Sequence, residues 1–342
     1  MEKDCPYTIC MDRLELIASC TNPFWNRRSY SDIPDGIMLT DEVKLYPCIK
    51  NNPFFNYSFD IHLKEQQVAS FFCGDNHRLR YKISNPTRLN LANNILYEEG
   101  LHEKLKLIFN ALGLTFYKYA YAEIAIDGYD FIQKQKSLME SDCYHRKQPL
   151  QNVSQTKDEC TGKIKSIVPG SRFGDKHISI YDKQSEVQAA GKTYIEDFWK
   201  MNGLLIHPEK QIDRIELRLK RKQAEFLEAD FSQLSDATYL SSFFRKHGGH
   251  YLEYIHNEVP KKRKHIIDWS AFKTVQLAKV KEAKQAASNA SFKPVIKKLY
   301  LEFHRTGKEY YMASYEQLAE TYGLRSWLYL RIEKWKREYR LR

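Results

Sequence analysis

The chain has 342 residues, 42% of them hydrophobic and 13% aromatic, so it can bury a substantial core and is not a disordered polypeptide. Its net charge of +11 favours a polyanionic partner, most commonly nucleic acid, although a basic surface with no partner is the alternative. No apolar run is long enough to cross a bilayer, and seven scattered cysteines are typical of reduced thiols, so we expect a cytoplasmic protein with no membrane partner.

The first half of the chain reads as strands around one clear helix. Residues 12–19 alternate apolar and polar side chains, which predicts a half-buried strand. Apolar residues at helical spacing predict a helix over 99–112 that stops at Gly113, and a strand over 117–127 follows. Residues 133–163 are polar and contain few large apolar side chains, so we expect a long loop or insertion there.

The middle of the chain predicts more antiparallel pairing. Two strands, 164–168 and 177–183, flank a turn-rich segment and indicate a β-hairpin with a basic tip. A further strand is expected over 212–220, running into an amphipathic helix that starts near Arg221. Mixed strands and helices up to about residue 260, then helices alone, predict an α+β domain followed by a helical region.

The C-terminal region has its own pattern. Residues 275–290 are rich in helix formers and poor in large apolar residues, which predicts a connecting helix. Ser314 and Gln317 form a possible capping box, and a last helix starting near Arg325 is strongly basic. This resembles a helix-turn-helix that contacts duplex DNA, although a terminal helix docked on the first domain fits as well. The basic residues selected for DNA contact are Arg331, Lys334 and Arg337.

Three predicted strands each place polar side chains on one face and apolar side chains on the other, because side chains alternate across a strand. An ordinary sheet with one face in water would also produce this alternation. In one antiparallel sheet, however, acids, bases and a tyrosine would converge. The polar faces comprise Tyr121, Glu123 and Asp127, then His177, Tyr181 and Lys183, then Arg214, Glu216 and Arg218.

Such a cluster has the parts for phosphodiester cleavage. A tyrosine phenol, with a pKa near ~10, is a weak nucleophile until its phenolate is favoured. Carboxylates hold a divalent ion that polarises the phosphate, and oxygen ligands suit Mg²⁺ or Mn²⁺. Lys183 would lie on the tyrosine's face and stabilise phenolate or phosphate charge.

Four segments, in order, resemble the replication initiation factor family, which includes initiators of rolling-circle plasmids, replication endonucleases of filamentous phages and relaxases of integrative elements. An Ile-Asp-Trp segment at 267–269 also fits a pattern near the end of such domains. Together they cover roughly residues 100–270. The four are AEIAIDG (122–128), PGSRFGDK (169–176), IYDKQSE (180–186) and RIELRLK (214–220).

The resemblance implies an HUH-endonuclease-like fold, in which a central antiparallel sheet is flanked by helices. It places a nicking domain at 1–265 and a mostly helical region at 266–342. By this likeness Tyr181 attacks origin DNA and becomes linked to the 5′ phosphate, leaving a 3′ hydroxyl as primer. The candidate metal ligands are Glu123, Asp127 and Glu216.

The chain departs from the family pattern at the metal site. It has no His-x-His pair, and Tyr121, two residues before Glu123, stands where an arginine is more usual. His177 is open as a ligand or base. Tyr194 is either a second nucleophile or a partly buried aromatic residue.

The implied partners are single-stranded or cruciform origin DNA and the host helicase and polymerase, with the protein a monomer or homodimer. Arg172 and Lys176 at the hairpin tip, and Arg214 and Arg218 beside Glu216, are predicted to bind DNA; a solvated loop and a surface salt-bridge network are the respective alternatives. A relaxase of a conjugative element and a non-catalytic DNA-binding regulator remain alternative functions.

Overall fold

The computed structural model describes residues 7–21, 36–48, 50, 52, 54–75, 83–147, 153–170, 174–272, 293–321 and 324–339. The chain divides into two compact units, Met1–Val275 and Gln276–Arg342. Residues 266, 267 and 269, which lie beyond the predicted boundary at 265, are buried in the first unit. In the described ranges, no helix is both long and apolar enough to span a membrane.

The first unit is built on a large antiparallel sheet, which has eleven strands within the described residues. The order across the sheet is β2-β3-β4-β5-β6-β1-β7-β12-β11-β10-β9. A small second sheet has the order β14-β13-β8. The strands are β1 (Tyr7–Cys20), β2 (Ile37–Met38), β3 (Val43–Pro47), β4 (Phe55–Leu63), β5 (Gln66–Asp75), β6 (Pro86–Leu91), β7 (Leu114–Tyr129), β8 (Tyr144–Arg146), β9 (Val153–Lys157), β10 (Ile164–Pro169), β11 (Lys176–Asp182), β12 (Ile212–Lys220), β13 (Glu253–His256) and β14 (Arg263–His265).

Helices flank this sheet, so the α+β architecture predicted from the sequence is confirmed. The α-helices of the first unit are α1 (Leu101–Leu112), α2 (Phe131–Met139), α3 (Lys183–Ala190), α4 (Thr193–Met201) and α5 (Ala237–Gly248). Short 3-10 helices cover Asn94–Tyr97, Arg221–Phe226, Phe231–Ser235, Gly249–Leu252 and Trp269–Ala271.

Helix α1 shows how closely local sequence determined local structure. Leu101, Leu105, Ile108 and Leu112 are all at most 1% exposed, so the predicted apolar stripe is its buried face. Gly113 ends the helix with φ of 63°, a left-handed conformation that glycine adopts without a side-chain clash.

Strand β1 and the second half of β7 are covered on both faces. The apolar face that Ile124 and Ile126 share with β11 and β12 was predicted by alternation, and its isoleucines and leucines are inaccessible to solvent. The other face of β7, β11 and β12 carries the acids, the arginines and Tyr181. A buried polar face of this kind needs internal partners for every charge, and these partners form the candidate site.

Three sequence-based expectations are wrong. Residues 133–163 are not one long loop, because most of α2 and the strands β8 and β9 lie within them. The segment from Arg221 forms a 3-10 helix, not an amphipathic α-helix. Ser314 and Gln317 lie inside a helix instead of capping its start.

The second unit is helical, as predicted. It contains α6 (Lys293–Thr306), α7 (Glu309–Thr321) and α8 (Arg325–Tyr339). Ala319, Leu324 and Leu328 are buried together, with Leu318 and Ile332 packed against them, so the last two helices share a hydrophobic contact. Tyr300 of α6 and Trp335 of α8 complete this core. The predicted connecting helix over 275–290 lies outside the described residues.

Candidate active site

Three buried carboxylates from three neighbouring strands converge on the polar face of the sheet. Asp12 lies on β1, Glu123 on β7 and Glu216 on β12, and each offers an oxygen within 4.8 Å of the others. Cross-strand pairing explains two of them, since Glu123 opposes Arg218, two residues from Glu216 on the same face. Because all three are at most 8% exposed, their mutual repulsion is poorly screened by water.

Asp12 reaches this face through an irregularity in β1. The pairing of β1 with β7 shifts in register between Met11 and Arg13, so Asp12 is an extra residue in the strand. A β-bulge re-aims the side chains next to it, and such bulges are frequent beside active sites. Simple alternation of side chains along β1 would not have predicted this position.

Tyr181 extends the cluster onto the next strand. It lies on β11, and its hydroxyl donates a hydrogen bond to Glu216 Oε2 at 3.1 Å. Burial raises the pKa of Tyr181 well above its usual range, although the Arg214 charge acts in the opposite direction. The phenol is therefore protonated in this state, and Glu216 is its hydrogen-bond acceptor.

The carboxylates of the cluster differ in proton affinity. Burial raises the pKa of Glu216 to about 7, and the nearby charges of Glu123 and Asp12 add to this effect. Burial also favours the neutral form of Asp12, but the Arg214 and Lys183 charges and a hydrogen bond from Tyr97 outweigh it and lower the pKa. Near neutral pH, Asp12 is thus ionised while Glu216 can accept a proton.

Arg214 is fully buried between two acids, so its predicted contact with DNA must be corrected. Its Nε donates to Asp127 Oδ1 at 2.6 Å, Nη2 donates to Asp127 Oδ2 at 2.7 Å, and Nη1 donates to Asp12 Oδ1 at 2.6 Å. The side chain is 0% exposed and cannot reach a DNA phosphate. Arg214 instead neutralises acids and holds Asp12 in place.

Asp127 must be corrected as well, because it does not belong to the carboxylate group. Both of its oxygens bind Arg214, and Trp199 Nε1 on α4 donates to Oδ2 at 2.7 Å. Asp12, which was not selected from the sequence, takes the place predicted for Asp127. The structure therefore brings Glu123 and Glu216 together and leaves Asp127 in a structural ion pair.

Glu123 and Glu216 share a cation from the protein itself. Arg218 Nη2 bonds Glu216 Oε1 at 2.9 Å, its Nε approaches Glu123 Oε1, and the Tyr121 hydroxyl donates to the same Glu123 oxygen. The salt-bridge network considered from the sequence is thus present. DNA binding by Arg218, whose side chain is 32% exposed, stays a prediction.

Lys183 lies directly beside the tyrosine. It is the first residue of α3, is 2% exposed, and places Nζ 5.6 Å from the centre of the Tyr181 ring. Its ammonium group is held by Glu186 at 2.9 Å, and Glu186 also pairs with Lys192 at 2.9 Å. A positive charge next to the phenol is in place, and its catalytic role stays a prediction.

The remaining selected residues are scattered. Lys176 is half-buried, with Nζ 6.0 Å from the Tyr251 ring centre, and His177 is buried opposite Arg218 on β12. The Tyr194 hydroxyl donates to Asn93 Oδ1 at 2.6 Å. Arg331 and Lys334 are exposed on α8 of the second unit. Arg172 and the side chain of Arg337 lie outside the described residues.

The donor set of the three carboxylates fits a hard divalent cation. Mg²⁺ and Mn²⁺ prefer carboxylate oxygens and water, whereas Zn²⁺ favours nitrogen and sulfur ligands. Among the described residues, the hydrogen bonds of the Asp12 carboxylate go to Oδ1, which leaves Oδ2 available. The predicted metal site is thus supported as a carboxylate site, with Asp12 in place of Asp127.

Comparison with solved structures gives a weak structural likeness. No family model matches the chain, and no curated protein matches it. A solved structure, titled as a rolling circle replication initiator protein from Geobacillus stearothermophilus, is similar with a TM-score of 0.41 and 9% identity. The similarity covers 70% of this chain and 85% of that one.

Proposed function

We propose that this protein is a divalent-metal-dependent DNA nickase and strand transferase that initiates rolling-circle replication, with Tyr181 as its nucleophile. The observation that carries the proposal is the hydrogen bond from the Tyr181 hydroxyl to Glu216, one of three carboxylates that can hold a cation. The positive net charge and the sequence motifs around Tyr181 support a DNA substrate.

Glu216 is the group placed to activate the nucleophile. It accepts the phenolic proton through Oε2 as the Tyr181 oxygen attacks phosphorus. The new bond joins the tyrosine oxygen to the DNA 5′ phosphate. The bond from phosphorus to the 3′ oxygen breaks, and that oxygen takes up a proton to become the primer hydroxyl.

Two buried cations orient the site and balance its negative charge. Arg214 keeps Asp12 ionised and oriented, and Lys183 supplies a positive charge beside the phenol. A Mg²⁺ or Mn²⁺ ion held by Asp12, Glu123 and Glu216 would polarise the scissile phosphate. Because Tyr181 is half-buried, a flexible single strand is a better substrate than a stiff duplex.

Trapping the covalent intermediate tests the proposal. Purified protein is incubated with MnCl₂ and a labelled pool of random-sequence single-stranded oligonucleotides, and denaturing gels are searched for a protein–DNA adduct. We expect an adduct, and peptide mapping by mass spectrometry should place the DNA on Tyr181. EDTA should abolish it.

Two tyrosine variants sharpen the result. Tyr181→Phe should lose the adduct and keep DNA binding, while Tyr194→Phe, the matched control, should retain it. An adduct on another residue would reject the nucleophile. DNA binding without any adduct would favour a non-catalytic DNA-binding regulator.

A further inference from the structure

A second cleft lies at the end of the sheet where β11 stops and β12 begins. Its volume is about 730 Å³, within the usual range of small-molecule sites. Asp213 lines it from the start of β12, on the opposite face from its neighbour Arg214 and therefore from the acid cluster. The cleft is thus separate from the proposed active site, although both are built on the same two strands.

Asp213 is a buried carboxylate with only part of its hydrogen-bonding capacity used. The residue is 2% exposed, and Oδ2 accepts a hydrogen bond from the Ile132 backbone N–H at 2.8 Å. Oδ1 is buried and has no hydrogen-bond partner among the described residues. Burial, together with nearby Asp182 and Asp130, raises the pKa of Asp213 to about 7. Oδ1 thus lacks the hydrogen bond that a buried polar atom usually has, and an N–H or O–H donor entering the cleft would supply it.

Two glutamines in the same cleft have the complementary chemistry. Gln184 Oε1 accepts from the Ile212 backbone N–H at 3.1 Å, and Gln211 Oε1 accepts from Lys163 Nζ at 2.5 Å. In each amide the oxygen already accepts a hydrogen bond from the protein. The NH₂ group of each glutamine therefore remains as a donor for a ligand. The cleft therefore combines one carboxylate acceptor with amide donors.

We propose that this cleft binds an unpaired guanine base. Guanine presents adjacent N–H donors at N1 and N2 beside an acceptor at O6, which matches a carboxylate next to amide donors. Thymine offers a single donor between two acceptors, and adenine and cytosine place only one amino group beside an acceptor. The assignment to a base of the DNA substrate rests on the nicking function proposed above.

The position of the cleft ties it to the nucleophile. Gln184 is three residues after Tyr181, and Asp213 pairs across the strands with Asp182, the residue that follows the nucleophile. A DNA strand passing over this end of the sheet reaches both faces. Lysines at the cleft, Lys136, Lys157 and Lys210, offer charges for its phosphates. A bound guanine would fix which phosphate meets Tyr181.

Base-substituted oligonucleotides test this assignment. The probes are fluorescein-labelled oligothymidylates of about twelve nucleotides in which one guanine, adenine or cytosine replaces thymine at each position in turn. Affinities are measured by anisotropy in EDTA at fixed salt, with free dGMP and GTP as competitors. At one position we expect guanine to bind about tenfold more tightly than thymine.

Substitutions in the cleft test whether its residues cause the guanine preference. Asp213→Asn, whose amide oxygen can still accept from Ile132, should lose the guanine preference. Gln211→Met should weaken it and serves if Asp213→Asn does not fold. Glu209→Gln removes a charge from the same cleft and should keep the preference.

Each outcome supports or overturns the assignment. Equal affinities for all bases, or a guanine preference that survives Asp213→Asn, would overturn it. Tighter binding of GTP than of any guanine-containing oligonucleotide would reject DNA as the source of the base. Guanine preference without a tyrosine adduct would leave the cleft assignment standing and reject the nicking function, and an adduct without guanine preference would do the reverse.

Discussion

Replacing Glu216 with glutamine should stabilise the metal-free protein at alkaline pH, although it removes an ion pair with Arg218. Three carboxylates lie within 4.8 Å of one another in the interior, and the pKa of Glu216 is raised by its burial and by the other two acids. The glutamine side chain would keep an oxygen to accept the Tyr181 hydrogen bond, and it would carry no charge. The ion pair with Arg218 does not reverse this effect, because burial and the neighbouring acids together still disfavour ionised Glu216.

The magnitude follows from proton linkage. An unfolded glutamate has a pKa near ~4.3, and the folded value is about 7, so the folded state binds the proton more tightly. Protonated Glu216 therefore contributes to the free energy of unfolding. This contribution is complete below the unfolded pKa and is lost as the pH rises through the folded pKa. At about 1.4 kcal/mol per pKa unit, ionisation costs roughly 4 kcal/mol in total, of which roughly 3 kcal/mol falls between pH 5 and pH 8.

Urea unfolding of both proteins in EDTA at pH 5 and pH 8 measures this difference. We expect Glu216→Gln to gain about 3 kcal/mol relative to the wild type between the two pH values. Glu98→Gln is a control without pH dependence in this range: hydrogen bonds from Lys104 and Gln66 outweigh burial and lower the pKa of Glu98, so its effect should be nearly equal at pH 5 and pH 8. Equal effects of Glu216→Gln at both pH values would refute the argument.

Four further predictions concern separate parts of the molecule. Tyr181→Phe should reduce adduct formation below detection and leave single-strand affinity within about twofold, as measured by gel and anisotropy. Arg214→Met should cost about 3–5 kcal/mol of unfolding free energy in denaturant titrations, because it leaves the buried Asp12 and Asp127 without their cation. Trp199→Phe should cost less, about 2 kcal/mol in the same assay, because Arg214 still binds both Asp127 oxygens while the lost hydrogen bond and a small cavity destabilise the fold. Arg331→Ala should reduce the slope of log affinity against log salt for duplex DNA by about 0.9, and an unchanged slope would exclude a phosphate contact there.

Much of the sheet could be predicted because its central strands obey simple alternation. The residues of 212–220 lie on the faces that period two assigns to them, and the hairpin partners 164–168 and 177–183 pair as expected. Both signals are local, since each depends only on the order of apolar and polar residues along one strand. The helix ending at Gly113 is local in the same sense.

The parts of the site that the sequence did not reveal depend on contacts between distant segments. Asp12 faces the cluster because of a bulge in β1, whereas strict alternation would have placed it on the apolar face with Leu14, which pairs with Ala122. Trp199 and Tyr97 contribute hydrogen bonds from other elements to Asp127 and Asp12. Acids at the correct period could be found from sequence, but which of them pairs with Arg214 could not.

The number of arginines that pair with the buried acids determines which charge the acid cluster can bind. Asp12, Glu123, Glu216 and the neighbouring Asp127 form ion pairs with two arginines, Arg214 and Arg218, so full ionisation leaves two negative charges uncompensated by these arginines. Uncompensated negative charge is unfavourable in a buried site, and the pKa of Glu216 is raised in consequence. A divalent cation supplies the missing charge, whereas a DNA phosphate arriving alone would add to the repulsion. If the proposed function is correct, we expect a bound cation to strengthen DNA binding at the acid cluster, so DNA affinity should rise with Mn²⁺ concentration even for Tyr181→Phe.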